Sequence, residues 1–144
     1  LFNKKIKREL ELNHLHVRSE LEAIASVNSR SALPGQSEHQ LGTAVDLVSM
    51  IPGLGFELET AMDQTPGFAW LEANAFRYGY AMSYPKGGGD VRLPNPRTGY
   101  VYEPWHWRFV GVAHATAFQM CARRGTTLQE YLRAIKANPY TTCR

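Results

Sequence analysis

Pairs and clusters of proline and glycine divide this chain into short segments, and this division limits the possible folds more than any other feature of the sequence. Pro34-Gly35 marks a turn after a helical first segment, Pro52-Gly53 ends an apolar run, and residues 85–99 form a long loop rich in both residue types. No stretch approaches the roughly 20 consecutive apolar residues that a membrane span requires. The sequence therefore predicts a domain of short elements, with neither a membrane span nor a coiled coil.

Segments with helical and strand patterns alternate between these breaks. The first segment has an i, i+4, i+7, i+8 pattern that predicts one buried helix face, formed by Val17, Leu21, Ile24 and Ala25. Strands are predicted over residues 43–48, 80–84 and 100–109, the last one interrupted by Pro104. A helix is predicted from Thr65-Pro66, as N-cap and first helical residue, to Gly79.

Two further helices are predicted at the end of the chain, over residues 112–123 and 128–137. Thr127 and Glu130 have the spacing of a capping box at the start of the last helix. The order of the elements indicates the α+β class, with a small antiparallel sheet flanked by helices. At 144 residues, the chain fits one domain over residues 1–144.

Composition and charge exclude several classes of protein. Hydrophobic residues make up 44% and charged residues 20%, a balance that argues against disorder. The net charge of +3 owes much to four basic residues in the first eight positions, a pattern typical of a solvated helix face. No basic segment is interleaved with aromatic residues, so a nucleic-acid partner is not expected. Cys121 and Cys143 form no CxxC motif, and both a disulfide and two free thiols remain open.

Two segments contain residues suited to metal chemistry. Residues 37–46 contain His39 and Asp46, and residues 103–107 contain Glu103 and His106. Imidazole nitrogen and carboxylate oxygen are suitable ligands for Zn²⁺, and three protein ligands leave a position for a reactive water. Asp46 lies in an apolar strand, where an unpaired carboxylate is costly to bury, so it needs a metal or an arginine as partner.

Glu103 is the candidate general base, because it lies near a possible ligand in sequence. In a regular strand, residues i and i+3 face opposite sides, so Glu103 and His106 would not both face one metal. Pro104 predicts a bulge or bend between them that turns both inward.

These segments form the pattern SxHxxGxAxD, with Ser37, His39, Gly42, Ala44 and Asp46, followed by ExxH within Tyr102-Glu103-Pro104-Trp105-His106. The paired pattern resembles the VanY-type D-alanyl-D-alanine carboxypeptidases, in a group that includes VanX dipeptidases, lysostaphin-like enzymes and hedgehog domains. The similarity continues, in the same order, through residues 70–75, 78–80, 84–85, 98–100, 108–111 and 128–132, and so covers most of residues 34–132.

The resemblance implies a hedgehog/D-Ala-D-Ala peptidase-like fold, with Zn²⁺ held by His39, Asp46 and His106 and with Glu103 as base. It implies that Ser37 lines the substrate site. Tyr84 and Trp105 are weaker candidates for its wall, with aromatic core packing as the alternative. The implied substrate is a peptidoglycan stem peptide, cut at its last peptide bond, which implies a location outside the cytoplasmic membrane, in the periplasm or cell envelope.

One family feature has no match here. Related enzymes contain a segment like SGYRS upstream, whose arginine helps to hold the substrate, and we therefore expect that this chain lacks its native N-terminal segment. Four alternatives remain open: an L,D-carboxypeptidase, a peptidoglycan endopeptidase, a zinc-containing binding domain without turnover, and a serine hydrolase using Ser37. A GxSxG motif, expected in many serine hydrolases, is absent from the sequence.

Overall fold

A computed structural model describes residues 2–12 and 20–140, in which short helices surround a small sheet. The α-helices are α1 (Phe2–Leu12), α2 (Glu20–Asn28), α3 (Pro66–Asn74), α4 (Val112–Ala122) and α5 (Leu128–Ala137). The strands are β1 (Ala44–Asp46), β2 (Tyr80–Met82) and β3 (His106–Phe109), and 3₁₀ helices span Glu38–Leu41, Thr60–Gln64 and Ala75–Tyr78. Within the described residues, no helix combines the length and apolar character needed to cross a membrane.

The sheet has the order β1-β3-β2, and β3 is antiparallel to both of its neighbours. Asp46 is paired with His106 across β1 and β3, and Ala81 is paired with Arg108 across β2 and β3. The predicted small antiparallel sheet and the α+β class are confirmed. The register brings the end of β1 directly beside the start of β3, where both polar motifs meet.

Side chains of β3 alternate between two environments, as expected for a strand. Trp107 is buried in a cluster with Ile51, Met62, Phe68 and Ala75. His106 and Arg108 face the opposite side, which forms the candidate site. A second cluster contains Ala81, Phe118, Cys121, Leu128 and Tyr131 and joins α4 and α5 to the sheet. Cys121 is disulfide-bonded, and Cys143 lies outside the described residues.

The predicted helix starts are confirmed where capping residues define them. Thr65 Oγ1 accepts a hydrogen bond from Phe68 N at 3.2 Å, with Pro66 as the first helical residue of α3. At α5, Thr127 Oγ1 accepts from Glu130 N at 3.3 Å, and Thr127 N donates to Glu130 Oε2 at 2.9 Å. This reciprocal pair is the predicted capping box. The α3 helix ends at Asn74, and a 3₁₀ turn continues to Gly79, whose φ is +85°.

The predicted buried face of the first helical segment is wrong. Leu21 is 78% exposed, Ala25 is exposed and Ile24 is half-buried, whereas Ala23 and Val27 are buried. Ala23 follows Leu21 by two residues, which is about 200° around a helix. The end of α2 is tied to the segment before the ExxH motif by a bond from Val101 N to Ser29 O at 2.9 Å. Val17 lies outside the described residues.

The strands are shorter than predicted. The segment over residues 100–103 is largely buried without joining the sheet, because its backbone bonds go elsewhere: Glu103 N donates to Tyr84 O at 3.1 Å. A turn at Pro104 and Trp105 then leads into β3.

Candidate metal centre and active site

His39 lies on the 3₁₀ helix Glu38–Leu41, and the motif residues around it fix its backbone. Ser37 is the N-cap, and its Oγ accepts a hydrogen bond from His39 N at 3.3 Å. Gly42 ends the helix with φ of +67°, a conformation that favours glycine, and its N–H donates to His39 O at 3.0 Å. The chain then enters β1 directly, so the spacing between His39 and Asp46 is that of one helical turn followed by a short strand.

The structure brings His39, Asp46 and His106 together. Asp46 Oδ1 lies 3.4 Å from His39 Nε2 and 3.4 Å from His106 Nδ1. One ligand atom from each of the three residues lies within 4.8 Å of the others. Two tetrahedral ligands at about 2.05 Å from zinc are about 3.3 Å apart, so the two shorter separations fit this donor set. The three residues are therefore a suitable donor set for one metal ion.

Glu103 lies beside this cluster because the chain bends at Pro104. His106 N donates to Glu103 O at 3.2 Å, which closes a β-turn over the four residues of the ExxH motif. Glu103 Oε2 lies 3.9 Å from His106 Nδ1. The predicted bend is confirmed, and its form is a β-turn before the strand.

The environment of Glu103 suits a group that exchanges protons near neutral pH. Burial raises the pKa of Glu103, and the nearby carboxylates of Asp46 and Glu38 raise it further. The positive charges of His106 and Lys5 lower it, and the resulting pKa of Glu103 is about 7. A general base is most effective when its pKa lies near the working pH.

Glu38 belongs to the site, although the sequence analysis did not single it out. Its Oε2 accepts a hydrogen bond from Ser83 Oγ at 2.6 Å and lies 3.2 Å from His106 Nε2, and its Oε1 accepts from Arg108 Nη1 at 2.8 Å. Burial raises the pKa of Glu38, but the hydrogen bonds from His106, Ser83 and Arg108 outweigh it and lower the pKa to about 2. Glu38 lies inside the first motif, between Ser37 and His39, but that position does not indicate which residues it contacts.

His106 is the most enclosed member of the candidate metal cluster. Its side chain is 4% exposed, compared with 44% for His39 and 30% for Asp46. Burial lowers the pKa of His106, and hydrogen bonds to Asp46 and Glu38 together with nearby negative charge reverse this effect and raise the pKa to about 9. The cluster thus has one buried ligand and two that face solvent.

The three predicted substrate-site residues have structural roles here. Ser37 caps the 3₁₀ helix, and its bond goes to the His39 backbone. Tyr84 is buried, with its ring centroid 4.8 Å from that of His106 and 4.4 Å from that of Tyr100. Trp105 is half-buried against the Trp107 cluster. These contacts favour the packing interpretation for the aromatic residues, and substrate contact stays a prediction for all three.

The fold and this cluster define a metallopeptidase-like α+β domain, and comparison with known proteins gives its family. A family model described as VanY, D-alanyl-D-alanine carboxypeptidase, matches residues 1–112. The chain belongs to this VanY family. A D-alanyl-D-alanine carboxypeptidase of Enterococcus faecalis is 35% identical over 116 residues, which are 80% of this chain and 37% of that protein.

Two solved structures are similar in fold as well as sequence. The LdcB LD-carboxypeptidase aligns with a TM-score of 0.63 and 36% identity, covering 92% of this chain and 52% of that chain. A zinc complex of a VanY D,D-pentapeptidase from a VanB-type resistance cassette aligns with a TM-score of 0.62 and 30% identity, covering 91% of this chain and 62% of that chain. The chain spans about two fifths of the length of two curated relatives: 40% of a putative carboxypeptidase of Bacillus subtilis and 37% of the Enterococcus faecalis protein.

Proposed function

We propose that this chain forms a zinc-dependent D-alanyl-D-alanine carboxypeptidase domain that hydrolyses the terminal peptide bond of peptidoglycan stem peptides. The observation that supports it most is the approach of Glu103 to within 3.9 Å of His106 Nδ1, on the side of the ring where Asp46 lies 3.4 Å away. A protein that only binds zinc has no need of a buried carboxyl group at that place. The family relationship and the zinc-bound relative support the same proposal.

In this proposal, His39, Asp46 and His106 would hold the metal. When bound, zinc supplies Lewis-acid polarisation of the scissile carbonyl and lowers the pKa of an attacking water towards about 7. Glu103 accepts a proton from that water as the water oxygen bonds to the carbonyl carbon. Glu103 then passes the proton to the departing amine of the terminal residue as the C–N bond breaks.

A second candidate is an L,D-carboxypeptidase acting on tetrapeptides. It is favoured by LdcB, which at 36% has a higher identity to this chain than the zinc-bound VanY at 30%. The metal cluster and Glu103 serve both reactions equally, because substrate stereochemistry is distinguished by the pocket around the cluster. A serine hydrolase has less support, because Ser37 Oγ is engaged by the His39 backbone.

Release of D-alanine from two synthetic stem peptides tests and separates the two candidates. One peptide ends in D-Ala-D-Ala and the other is the tetrapeptide that lacks the last residue. We expect zinc-dependent release from the pentapeptide, at least tenfold faster than from the tetrapeptide. Faster release from the tetrapeptide would instead assign the L,D activity. Zinc-loaded protein that releases D-alanine from neither peptide would contradict both assignments for this chain.

We also infer a location outside the cytoplasmic membrane, in the periplasm or cell envelope, because the proposed substrate is part of the cell wall. The disulfide at Cys121 supports this inference, since disulfides persist mainly in oxidising compartments. Fractionation of the native host with an antibody to this chain tests it, and a purely cytoplasmic signal would contradict it.

A further inference from the structure

We propose that Glu38 is a positioning residue that fixes the tautomer and ring orientation of His106, so that Nδ1 is the atom presented to the metal. This inference rests on the metal site of the proposed function, and it adds a residue outside the His39, Asp46 and His106 ligand set. It assigns to Glu38 a role that acts through His106, without contact to the substrate.

The first step of the argument is the direction of the two nitrogens of His106. Nδ1 faces Asp46 Oδ1 at 3.4 Å and Glu103 Oε2 at 3.9 Å, whereas Nε2 faces Glu38 Oε2 at 3.2 Å. A neutral imidazole has one protonated nitrogen and one with a free lone pair. An ionised carboxylate only accepts hydrogen bonds, so a proton on His106 Nε2 satisfies Glu38. When a metal replaces the proton on Nδ1, the lone pair of Nδ1 is then the one that binds it.

The second step is that Glu38 is itself held in place. Its two oxygens have different partners: Oε2 faces His106 and Ser83, while Oε1 accepts from Arg108 Nη1 at 2.8 Å. Ser83 is fully buried, and its carbonyl oxygen accepts from Gln129 Nε2 at 3.1 Å, which links the network to α5. A carboxylate with partners on both oxygens cannot rotate without breaking a bond, so it can hold the ring of His106.

The third step is the contrast with His39. In the described part of the chain, the only side-chain carboxylate that contacts a His39 ring nitrogen is Asp46, at 3.4 Å from Nε2, the nitrogen on the metal side. His106 therefore has an oriented carboxylate behind its ring, and His39 depends on its backbone and on Asp46. Carboxylate groups behind a metal-bound histidine typically change metal affinity by about 10–100-fold.

An alternative is that Glu38 serves only as the ion-pair partner of Arg108. The two interpretations differ in what Glu38→Gln does. The amide oxygen of glutamine can still accept from one neighbour, but the charge that favours a proton on His106 Nε2 is lost. Ser83→Ala is a second variant, which keeps both the charge of Glu38 and its bond to Arg108 and removes only the hydroxyl that orients Oε2.

The test measures zinc affinity by competition with a chromophoric chelator for wild type, Glu38→Gln, Ser83→Ala and the control Glu72→Gln, an exposed carboxylate on α3. We expect a 10–100-fold loss of affinity for Glu38→Gln, a smaller loss for Ser83→Ala, and none for the control. In zinc-loaded protein labelled with ¹⁵N-histidine, we expect the His106 Nε2–H proton signal to be resolved in wild type and to shift or broaden in Glu38→Gln.

Unchanged zinc affinity and an unchanged Nε2–H signal in a folded Glu38→Gln variant would overturn the positioning role while leaving the proposed function intact. A wild-type protein that binds zinc with the expected Nε2–H signal, but releases no D-alanine, would contradict the function and leave the positioning role standing. Protonation of Nδ1 with zinc on Nε2 would overturn the positioning role directly.

Discussion

The candidate site and the start of α5 both contain a glutamate with a strongly lowered pKa, but the two are built differently. The pKa of Glu130 is lowered to about 2 by hydrogen bonds from Arg97 and Thr127. The pKa of Glu38 is also about 2, although burial opposes it. Glu130 is bound to its own helix start and is substantially exposed, whereas Glu38, on a 3₁₀ helix, contacts β3 and Ser83, the residue after β2, in a largely buried network.

The hydrogen bonds of Glu130 therefore serve the stability of a helix start, whereas those of Glu38 orient a group of the candidate site. The contacts of Glu130 are with Arg97 and Thr127, and none of them is with His39, Asp46, Glu103 or His106. The Glu38 network contacts His106 directly, so we expect changes there to affect the metal cluster. The following predictions test this separation, beginning with the largest expected effect.

Glu103→Gln is expected to have the largest effect on activity. It removes the proton acceptor and retains the shape of the side chain, so D-alanine release should fall by about 10²–10⁴-fold while zinc remains bound. Turnover and zinc content are measured on the same samples. Glu130→Gln is the matched control at the other region and should retain wild-type turnover. Activity within threefold of wild type in Glu103→Gln would rule out its role as base.

His106→Ala and His39→Ala compare how much the buried and the exposed candidate ligand contribute to the stability of the metal-free protein. Removal of His106 takes the buried imidazole from both Glu38 Oε2 and Asp46 Oδ1, which should lower the free energy of unfolding by about 1–3 kcal/mol. Removal of the half-exposed His39 should change it by less than about 0.5 kcal/mol. Urea unfolding in chelator measures both. Equal effects would show that the enclosure of His106 contributes nothing to stability.

Thr127→Ala tests the helix cap, far along the chain from both motifs. Loss of the N-cap hydroxyl should destabilise the protein by about 1 kcal/mol. Zinc affinity and turnover at a temperature where the variant is folded should not change. Thermal unfolding and the zinc competition assay provide the two measurements, and a loss of zinc affinity would show that the two regions are coupled.

Glu130→Gln should have the smallest effect, and that effect should depend on pH. The pKa of Glu130 is lower in the folded state than its ordinary value of 4.5, so its charge stabilises the fold above pH 4.5 and this contribution is lost as the pH falls towards about 2. Because the pair with Arg97 is exposed, its contribution should be a few tenths of a kcal/mol up to about 1. Unfolding midpoints of wild type and variant should differ at pH 7 and converge near pH 2. A difference that grows at low pH would contradict this assignment.

The contrast between contacts that are close in sequence and contacts that are distant explains which features the sequence could predict. The capping box of α5 involves residues three apart, and Thr65-Pro66 defines the start of α3 in two adjacent positions, so local patterns were sufficient. The bend at Pro104 was predictable for the same reason. The meeting of His39, Asp46 and His106 followed from a paired motif, and the sheet register that produces it became visible only in the structure.

Two features could not be predicted because they depend on distant contacts. Glu38 is 45 residues from Ser83 and 70 from Arg108, and no local pattern links these positions. The buried face of α2 was mispredicted because Leu21 and Ala23 are both apolar, and tertiary contacts such as the bond from Val101 N to Ser29 O are not visible in the local pattern.

The most direct test of the central claim is zinc content and D-alanine release from a pentapeptide ending in D-Ala-D-Ala, measured on one sample as purified, after chelation and after zinc is restored. We expect one zinc per chain, loss of release on chelation, and recovery with one equivalent of zinc. Release that continues in protein free of metal would contradict the assignment of His39, Asp46 and His106 as the ligands of a catalytic zinc.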